Sequence, residues 1–492
     1  MFKQTLLLSF ILALTASKTI QISLTGSITS LKSASSQATP GDVIEFMSGT
    51  YPSQVVYTKM NGTYDRPIII RSALNAKVIF QTITNENVLF QLTNSSNILV
   101  EGPFIVRNGV GHTVTVKNCT NVTFSNFKIY NSTNWAMYAS GTNVTLKNNF
   151  ADGCVLEDEN CTQSNWMQCF VTGAIDAKVP ILSSNIYIEN NEIMNSWGEG
   201  IDIIMCTSCI VRNNYLHDNK WVNIYVDNAH NTIIENNIIT YKSLYKCSRR
   251  ETTHAIGIGN EDWPPKFIST TNITIRNNLI WGSTFGIGYW GWSDVAYYSD
   301  IVITNNNFIH ISLAAINFNS DCLVKGKTKN NQFKNNFIHT NYTWYAVFIN
   351  DTQYNTWNIS DNVYLSNFEK LKPDTWNGSD GNAHSKQFRL NETSFNFFFD
   401  GGVFKNCTND SYYQWDVKPY CFVPHKESIL YHNGVYVGYS DLDGKMETDY
   451  FECMRNKMKP SIGLSEGMYA CSLNATEKLF ISVVILFVIL FM

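Results

Sequence analysis

The chain is short of charge. Lys and Arg number 36 and Asp and Glu 40 among 492 residues, giving a net charge of -4. That balance leaves no basic footprint, so nucleic acid is excluded as an expected partner. The 3.6-residue apolar spacing of amphipathic helices is also missing from the central segments, which argues against a helical fold. Metal motifs are incomplete. Cys206 and Cys209 form a CxxC with neither a second CxxC nor a His pair, so no zinc site is expected. The DLDG at Asp441 to Gly444 resembles part of a calcium loop, lacks the remaining ligands and reads as a turn.

What the chain has is one phrase repeated between Asn97 and Asn362: an apolar triplet, an Asn pair, another apolar residue and a small-residue turn. SNIYIENNEIMNSWGEGIDII from Ser184 and TNITIRNNLIWGSTFGIGYW from Thr271 are two instances. The first Asn of each pair falls at Asn148, Asn190, Asn213, Asn236, Asn277, Asn305 and Asn335, with Asn126 before the series and Asp361 closing it. Steps of 22 (126 to 148) and 23 (190 to 213, 213 to 236) match one three-stranded turn of a parallel β-solenoid. The longer steps of 42 (148 to 190) and 41 (236 to 277) read as the same coil with a loop inserted.

Within each coil the apolar residues alternate, as in Ile186/Ile188 and Ile301/Ile303, so one face of every short strand is buried. Stacking coils about 4.8 Å apart turns those faces into a continuous aliphatic core. The turn Asn carries both donors and acceptors, so equivalent residues on successive coils are expected to bond one another and the bent backbone.

PGDVIEFMSGTY from Pro40 and DRPIIIRSALNAKVIF from Asp65 carry a resemblance. They look like the opening of right-handed parallel β-helix proteins of the pectate-lyase-like superfamily, most similar to the alginate lyase and chondroitinase B group. The likeness spans roughly residues 22–365. It implies an all-β, right-handed, single-stranded parallel β-helix of about ten coils. A short capping helix within Ile28 to Ala38 is implied as well, and acidic polysaccharides are the implied substrate class. Fold does not carry reaction, however. The polygalacturonase segments NTD, DD, GHG and RIK are absent, and the Lys and Arg motifs of the alginate lyase group are not recognisable. No catalytic residue is therefore transferred.

The chain ends suggest a compartment. Residues 1–17 read as a secretory signal peptide. Leu479 to Met492 is apolar apart from Ser482 and follows small residues and a polar spacer, the pattern of a GPI-attachment signal, with a short tail anchor as the alternative. The expected layout is a β-helix over 18–365, a Cys-containing C-terminal appendage over 366–470 and the anchor over 471–492. The expected location is the extracellular face of the plasma membrane, as a monomer. Twelve cysteines suit an oxidising compartment, and a pair among Cys154, Cys161 and Cys169 is expected to close the first insertion. Sequons are dense, including Asn61, Asn94, Asn118, Asn121, Asn131, Asn143, Asn272 and Asn358, yet none falls between Asn190 and Asn260.

Candidate chemistry comes from aligning the strand after each turn: GIDII (200–204), NIYVD (223–227), AIGIG (255–259), GIGYW (286–290) and AINFN (315–319). Ile201, Ile224, Ile256, Ile287 and Ile316 then point inward. Asp202 and Tyr225 share one outward column, and Asp227, Trp290 and Asn319 share the next. Glu199, His217, Lys220, Trp221, His254, Glu261, Asp262, Trp263 and Trp292 flank them. Carboxylates, a few bases and aromatic faces are what a sugar-binding groove needs.

For a uronate lyase, Lys220, His254, Arg249, Arg250 and Tyr225 are the candidate acid, base or neutralising groups, and Glu199, Asp202 and Asp227 could hold calcium, no other cofactor being indicated. For a hydrolase, Asp202 and Asp227 are offset by one coil and two residues, about 8 Å along the backbone, a separation suited to an acid–base pair. Trp221, Trp290, Trp292, Tyr225 and Glu199 are the substrate-binding candidates. Two functions stand: a surface-anchored protein that binds or cleaves polysaccharide or cell-surface glycan, and a non-catalytic coat or adhesion protein.

Overall fold

The computed structural model describes residues 17–57, 59–82, 87–159, 167–176, 178–179, 181–241, 254–261, 269–291, 295–318, 324, 326–340, 347–349, 353–366 and 386–389. The signal peptide, the anchor and all of the appendage except 386–389 lie outside the described residues, as do Arg249, Arg250, Asp262, Trp263, Trp292 and Asn319. No helix among the described residues is long and apolar enough to cross a membrane.

Three stacks of parallel strands make the walls. The first runs through Gln168–Thr172, Glu199–Ile204, Ile224–Asp227, His254–Asn260, Phe285–Gly291 and Ala314–Phe318. The second runs through Ser183–Glu189, Ile210–Arg212, His230–Glu235, Thr271–Arg276 and Ser299–Thr304. The third runs through Glu192–Met194, Tyr215–His217, Ile238–Thr240, Leu279–Trp281 and Asn307–Ile311. The ladder outruns the Asn phrase at both ends, from Thr19–Ile22 to Lys386–Arg389, which pairs with Val363–Ser366. The capping helix is short, Leu31–Ser35, and its N-cap Ser30 accepts the Ser33 N–H. It lays Leu31 and Ala34 over the first coil.

The inward column is the expected one. Ile201, Ile224, Ile256, Ile287 and Ile316 stack in register and are fully buried. The core is not aliphatic throughout, though. Near the N-terminus it is built from Phe46, Phe80, Phe90, Phe104, Phe124 and Phe127, with ring centroids of 5.3 Å for Phe46–Phe80 and 5.6 Å for Phe90–Phe124. Each ring buries a large apolar area and meets its neighbours mostly in tilted or edge-to-face contacts, the arrangement that aromatic pairs prefer.

The Asn pair divides its labour between two positions. The first residue takes the left-handed backbone region, with φ of +56° at Asn190, Asn213 and Asn236; Asn tolerates this conformation better than most residues with a side chain. The second residue forms the ladder. Asn191 N donates to Asn214 Oδ1 at 3.0 Å, Asn214 N to Asn237 Oδ1 at 3.0 Å, and Asn237 N to Asn278 Oδ1 at 2.9 Å. The run extends from Asn149 to Asn362. The bonding residue is thus the neighbour of the one used to align the repeat.

A second regularity runs down the second sheet. Lys147, Glu189, Arg212, Glu235 and Arg276 occupy one column in alternating sign. Arg212 Nε lies 2.9 Å from Glu189, and Arg276 lies 2.8 Å from Glu235. The expected insertion disulfide is Cys154–Cys169, and Cys206 pairs with Cys209. Cys119, buried and unpaired, has its thiol pushed up to about 11 by burial.

Candidate functional site

The first sheet places the outward columns in the expected register. Asp202 pairs with Tyr225, and Ile204 with Asp227, so the two aspartates are offset by one coil and two residues. Asp227 continues through Gly259 to Trp290. What differs is exposure. Glu199, Asp202, Tyr225 and Asp227 are each no more than 2 % exposed, so this face of the sheet is covered here rather than open.

The covering begins with Tyr225. Its ring extends over the next coil, against Gly257 and Gly259, and stacks on Trp290 with centroids 4.9 Å apart and planes 22° from parallel. A Cβ at Gly257 would lie 2.7 Å from Trp290 and 2.9 Å from Tyr225. The two glycines of AIGIG therefore mark where the tyrosine lies. Tyr225 Oη donates to Glu261 Oε1 at 3.3 Å. Glu261 is fixed in turn by its N–H, which reaches Asp227 Oδ1 at 3.0 Å and Asn228 Oδ1 at 2.7 Å.

Four carboxyl groups thus surround one phenol, and their protonation reflects it. Burial raises Glu199 well above the usual carboxyl range, with repulsion from Glu261 and Asp227 adding and the Gln168 hydrogen bond opposing. Burial raises Asp202 likewise, and Glu199, Asp227 and Glu261 add to it. Glu199 and Asp202 share a side-chain hydrogen bond, which requires a proton on one of them. Glu199 Oε2 and Asp202 Oδ1 are buried and receive no other donor. Tyr225 is raised by burial and by the same carboxylates, so it stays a neutral donor. Carboxyls raised in this way keep a proton to higher pH than exposed ones do, and can present it to an incoming oxygen.

The other nominated residues scatter. Lys220 is paired with buried Asp158 at 2.5 Å and lies 4.7 Å over the Trp221 ring. Its ammonium is thereby committed to the first insertion, whose 3₁₀ turn Leu156–Asp158 supplies the acid. Trp221 is buried, 6 % exposed, instead of forming an open sugar platform. His254 lies half-buried over Gly288, stacked on Phe285 at 4.6 Å and 5.3 Å from Trp290. His217 belongs to the third sheet, between Asp218 and Glu192, and is remote from the first-sheet columns in register. Among the described residues no three His, Cys, Asp or Glu side chains are placed to hold a metal ion, so the calcium set of Glu199, Asp202 and Asp227 is not formed as such.

Two partners went unnoticed in the sequence. Gln168, beside Cys169, pairs in register with Glu199 and bonds its carboxyl; Asn228 clamps Glu261. Both sit one residue from a nominated group (Cys169, Asp227), and nothing in their own pattern distinguishes them.

The comparisons with known proteins agree on architecture. Residues 105–298 match the family described as right handed beta helix region. The described residues form a right-handed parallel β-helix. Among solved structures this β-helix is similar to XylC in its complex with xylose, at 10 % identity over 91 % of this chain and 99 % of that one, with a TM-score of 0.52. It is also similar to an alginate lyase from Paenibacillus sp. str. FPU-7 (16 % identity, 61 % of this chain and 99 % of that one, TM-score 0.45). A third is PfbA, a surface adhesin of Streptococcus pneumoniae (12 % identity, 74 % and 88 %, TM-score 0.45). At such identities the likeness is one of fold. No curated protein sequence matches the chain.

Proposed function

We propose that this β-helix is a secreted glycan-active protein whose carboxyl cluster on the first sheet hydrolyses a glycosidic bond. The observation that carries the reading is the burial of Glu199 and Asp202 three residues apart on one strand, with a further buried carboxyl, Asp227, one coil on. In this reading the Glu199–Asp202 pair supplies the general acid that protonates the leaving oxygen. Asp227 acts as the base that activates water. Tyr225 and Glu261 orient the substrate's hydroxyls, and Trp290 and His254 offer ring faces at the half-buried edge of the cluster.

Elimination on an acidic glycan is disfavoured by the same geometry. The substrate's own carboxylate would enter beside four carboxyl groups, and the described cation nominated to neutralise it, Lys220, is already held by Asp158. Secretion is supported by the two disulfides. The exposed sequon residues Asn61, Asn94, Asn131, Asn143 and Asn358 all lie away from the Glu199–Asn260 stretch. Anchoring at the outer membrane face by the C-terminal tail is part of the same proposal.

One observation favours the coat or adhesion reading: the four central residues of the cluster are almost fully buried, as groups with a purely internal role would be. Incubation of the purified protein with neutral and uronate polysaccharides separates the two. Reducing ends without unsaturated ends, lost in both Asp202→Asn and Asp227→Asn, support hydrolysis. Unsaturated ends would establish elimination instead. No product from any polysaccharide, with glycan or cell binding retained, would leave the coat or adhesion function.

A further inference from the structure

The coil positions that carry Glu199 and Asp202 carry aromatic rings two coils earlier. Met137 pairs with Phe170 and Phe170 with Ile201, while Gln168 pairs with Glu199. That register aligns Trp135 with Gln168 and then Glu199. It aligns Tyr138 with Val171 and then Asp202. Trp135 and Tyr138 thus repeat, three residues apart, the spacing of Glu199 and Asp202. One coil further back, Val114 pairs with Met137, which places His112 over Trp135.

The three rings are close to parallel. His112 and Trp135 have centroids 4.0 Å apart and planes 23° from parallel, Trp135 and Tyr138 5.6 Å and 14°, and His112 and Tyr138 6.0 Å and 18°. The distances place His112 over Trp135 with Tyr138 alongside, so the rings form a stepped surface and not a column. His112 is exposed, and the other two are half-buried.

The surface is held from below. Trp135 N bonds Asn134 Oδ1 at 2.8 Å, its carbonyl accepts from Thr113 N at 3.0 Å, and Asn134 is anchored on Glu157 at 2.9 Å. Gly173 leaves room for Tyr138, whose Oη would lie 2.5 Å from an added Cβ. Although one face is open to solvent, the other is desolvated against Trp135, and this and then Lys117 hold His112 below its usual range, so the ring is neutral at neutral pH. A fixed, uncharged set of parallel rings at the surface fits the flat C–H face of a sugar, and such stacking supplies affinity without charge.

We propose that His112, Trp135 and Tyr138 form a binding platform for a neutral oligosaccharide that extends toward Glu199 and Asp202. The site for cleavage at the far end rests on the hydrolase reading; the platform does not. Two coils separate them, about 10 Å at β-strand spacing, a span that an oligosaccharide covers and a single sugar does not.

The test is titration calorimetry of the full chain with cellohexaose, xylohexaose and mannohexaose, alongside assay of reducing ends. At least one hexaose should bind. Trp135→Ala should weaken it by about 10-fold or more, and Trp135→Phe by no more than about 3-fold, the range expected for losing or keeping one aromatic contact. Circular dichroism confirms that each variant is folded, and Trp135→Phe and Tyr138→Ala decide the matter should Trp135→Ala fail to fold. Binding indifferent to these ring substitutions, or no hexaose bound by the wild type, overturns the platform. Trp135-dependent binding without any cleavage leaves the platform standing and removes the hydrolase reading; cleavage with Trp135-independent binding does the reverse.

Discussion

Two stretches of the same coil behave in opposite ways. At the corner between the second and third sheets, successive coils from Asn149 to Asn362 place an Asn amide at the same point, each bonded to the next. On the first sheet, the matching column reads Tyr138, Val171, Asp202, Tyr225, Gly257, Gly288 and Asn317, a different residue at almost every level. Both stretches share one backbone register. The corner fixes that register through side chains that cannot vary, because a buried amide with a missing partner is costly. With register fixed there, the sheet face is free to carry chemistry that changes from coil to coil.

The largest effect should come from breaking the corner. Asn214 Oδ1 accepts from Asn191 N and from Asn191 Nδ2, both at 3.0 Å, and Asn214 Nδ2 donates to Ile188 O at 2.9 Å and to Asn237 Oδ1 at 3.0 Å. Asn214→Leu fills similar volume but strands those buried partners, for a loss of roughly 3–5 kcal/mol in urea unfolding. Asn213→Gly, one residue away at φ +56°, should change stability by less than about 1 kcal/mol, since glycine accepts that conformation freely. Equal losses at the two positions would show that the corner does not work through the second Asn.

On the variable face the sharpest probe is Gly259→Ala. The added methyl would occupy the position of the Tyr225 hydroxyl, and the ring, packed on Trp290 and 2 % exposed, has little room to retreat. Glycan cleavage should fall by about 100-fold, equivalent to roughly 2.7 kcal/mol, with a smaller change in stability. Near-ultraviolet circular dichroism should report the disturbed Tyr225–Trp290 stack. Retention of both the spectrum and the activity would mean that Tyr225 is not part of a working site.

The pH dependence separates the two stretches more gently. Glu199 and Asp202 are raised in the folded protein, chiefly by burial, so between their ordinary values of 4.5 and 3.8 and the higher folded values the native state binds more protons than the unfolded one. Stability contributed by the protonated pair is therefore present at low pH and declines as pH rises through the folded values. Asp202→Asn keeps a hydrogen-bonding group without the charge, and should raise Tm at pH 8 by about 2–4 °C while leaving Tm at pH 4 nearly unchanged. The corner amides do not titrate, so their contribution stays flat across the same range. A wild-type Tm that climbs steadily with pH above 5 would contradict the shared proton.

How much could be read from the chain follows the same division. The coil length, the inward isoleucines and the Asp202/Tyr225 and Asp227/Trp290 columns were legible because repetition fixes register, and register fixes facing. The bonding role of Asn214 over Asn213 was not, since both recur at the same interval and only backbone conformation distinguishes them. The carboxyl cluster was legible as a list of acids but not as a buried, proton-sharing group. The Tyr225 ring reaches across Gly257 and Gly259, and the Glu261 carboxyl that it meets lies 36 residues on, a contact between coils that single-strand alternation does not encode. Lys220 illustrates the converse: its partner Asp158 is 62 residues away in an insertion that breaks the repeat.

The alternating charges of the second sheet lie between these extremes, periodic like the corner yet built from charged side chains that range from buried to partly exposed. Arg212 and Glu189 are each 17 % exposed, so the pair is largely withdrawn from water, and Arg212→Gln, which removes the charge facing Glu189, should cost about 1 kcal/mol. The informative variant is the exchange Glu189→Arg with Arg212→Glu. An isolated pair would tolerate it, because the two charges still face each other. In the ladder, position 189 also faces Lys147, and position 212 also faces Glu235. The exchange therefore sets like charges opposite each other at both outer contacts, which is unfavourable in paired strands. The double variant should be no more stable than Arg212→Gln, and recovery to wild-type stability would show that the column is a set of independent pairs and not a ladder.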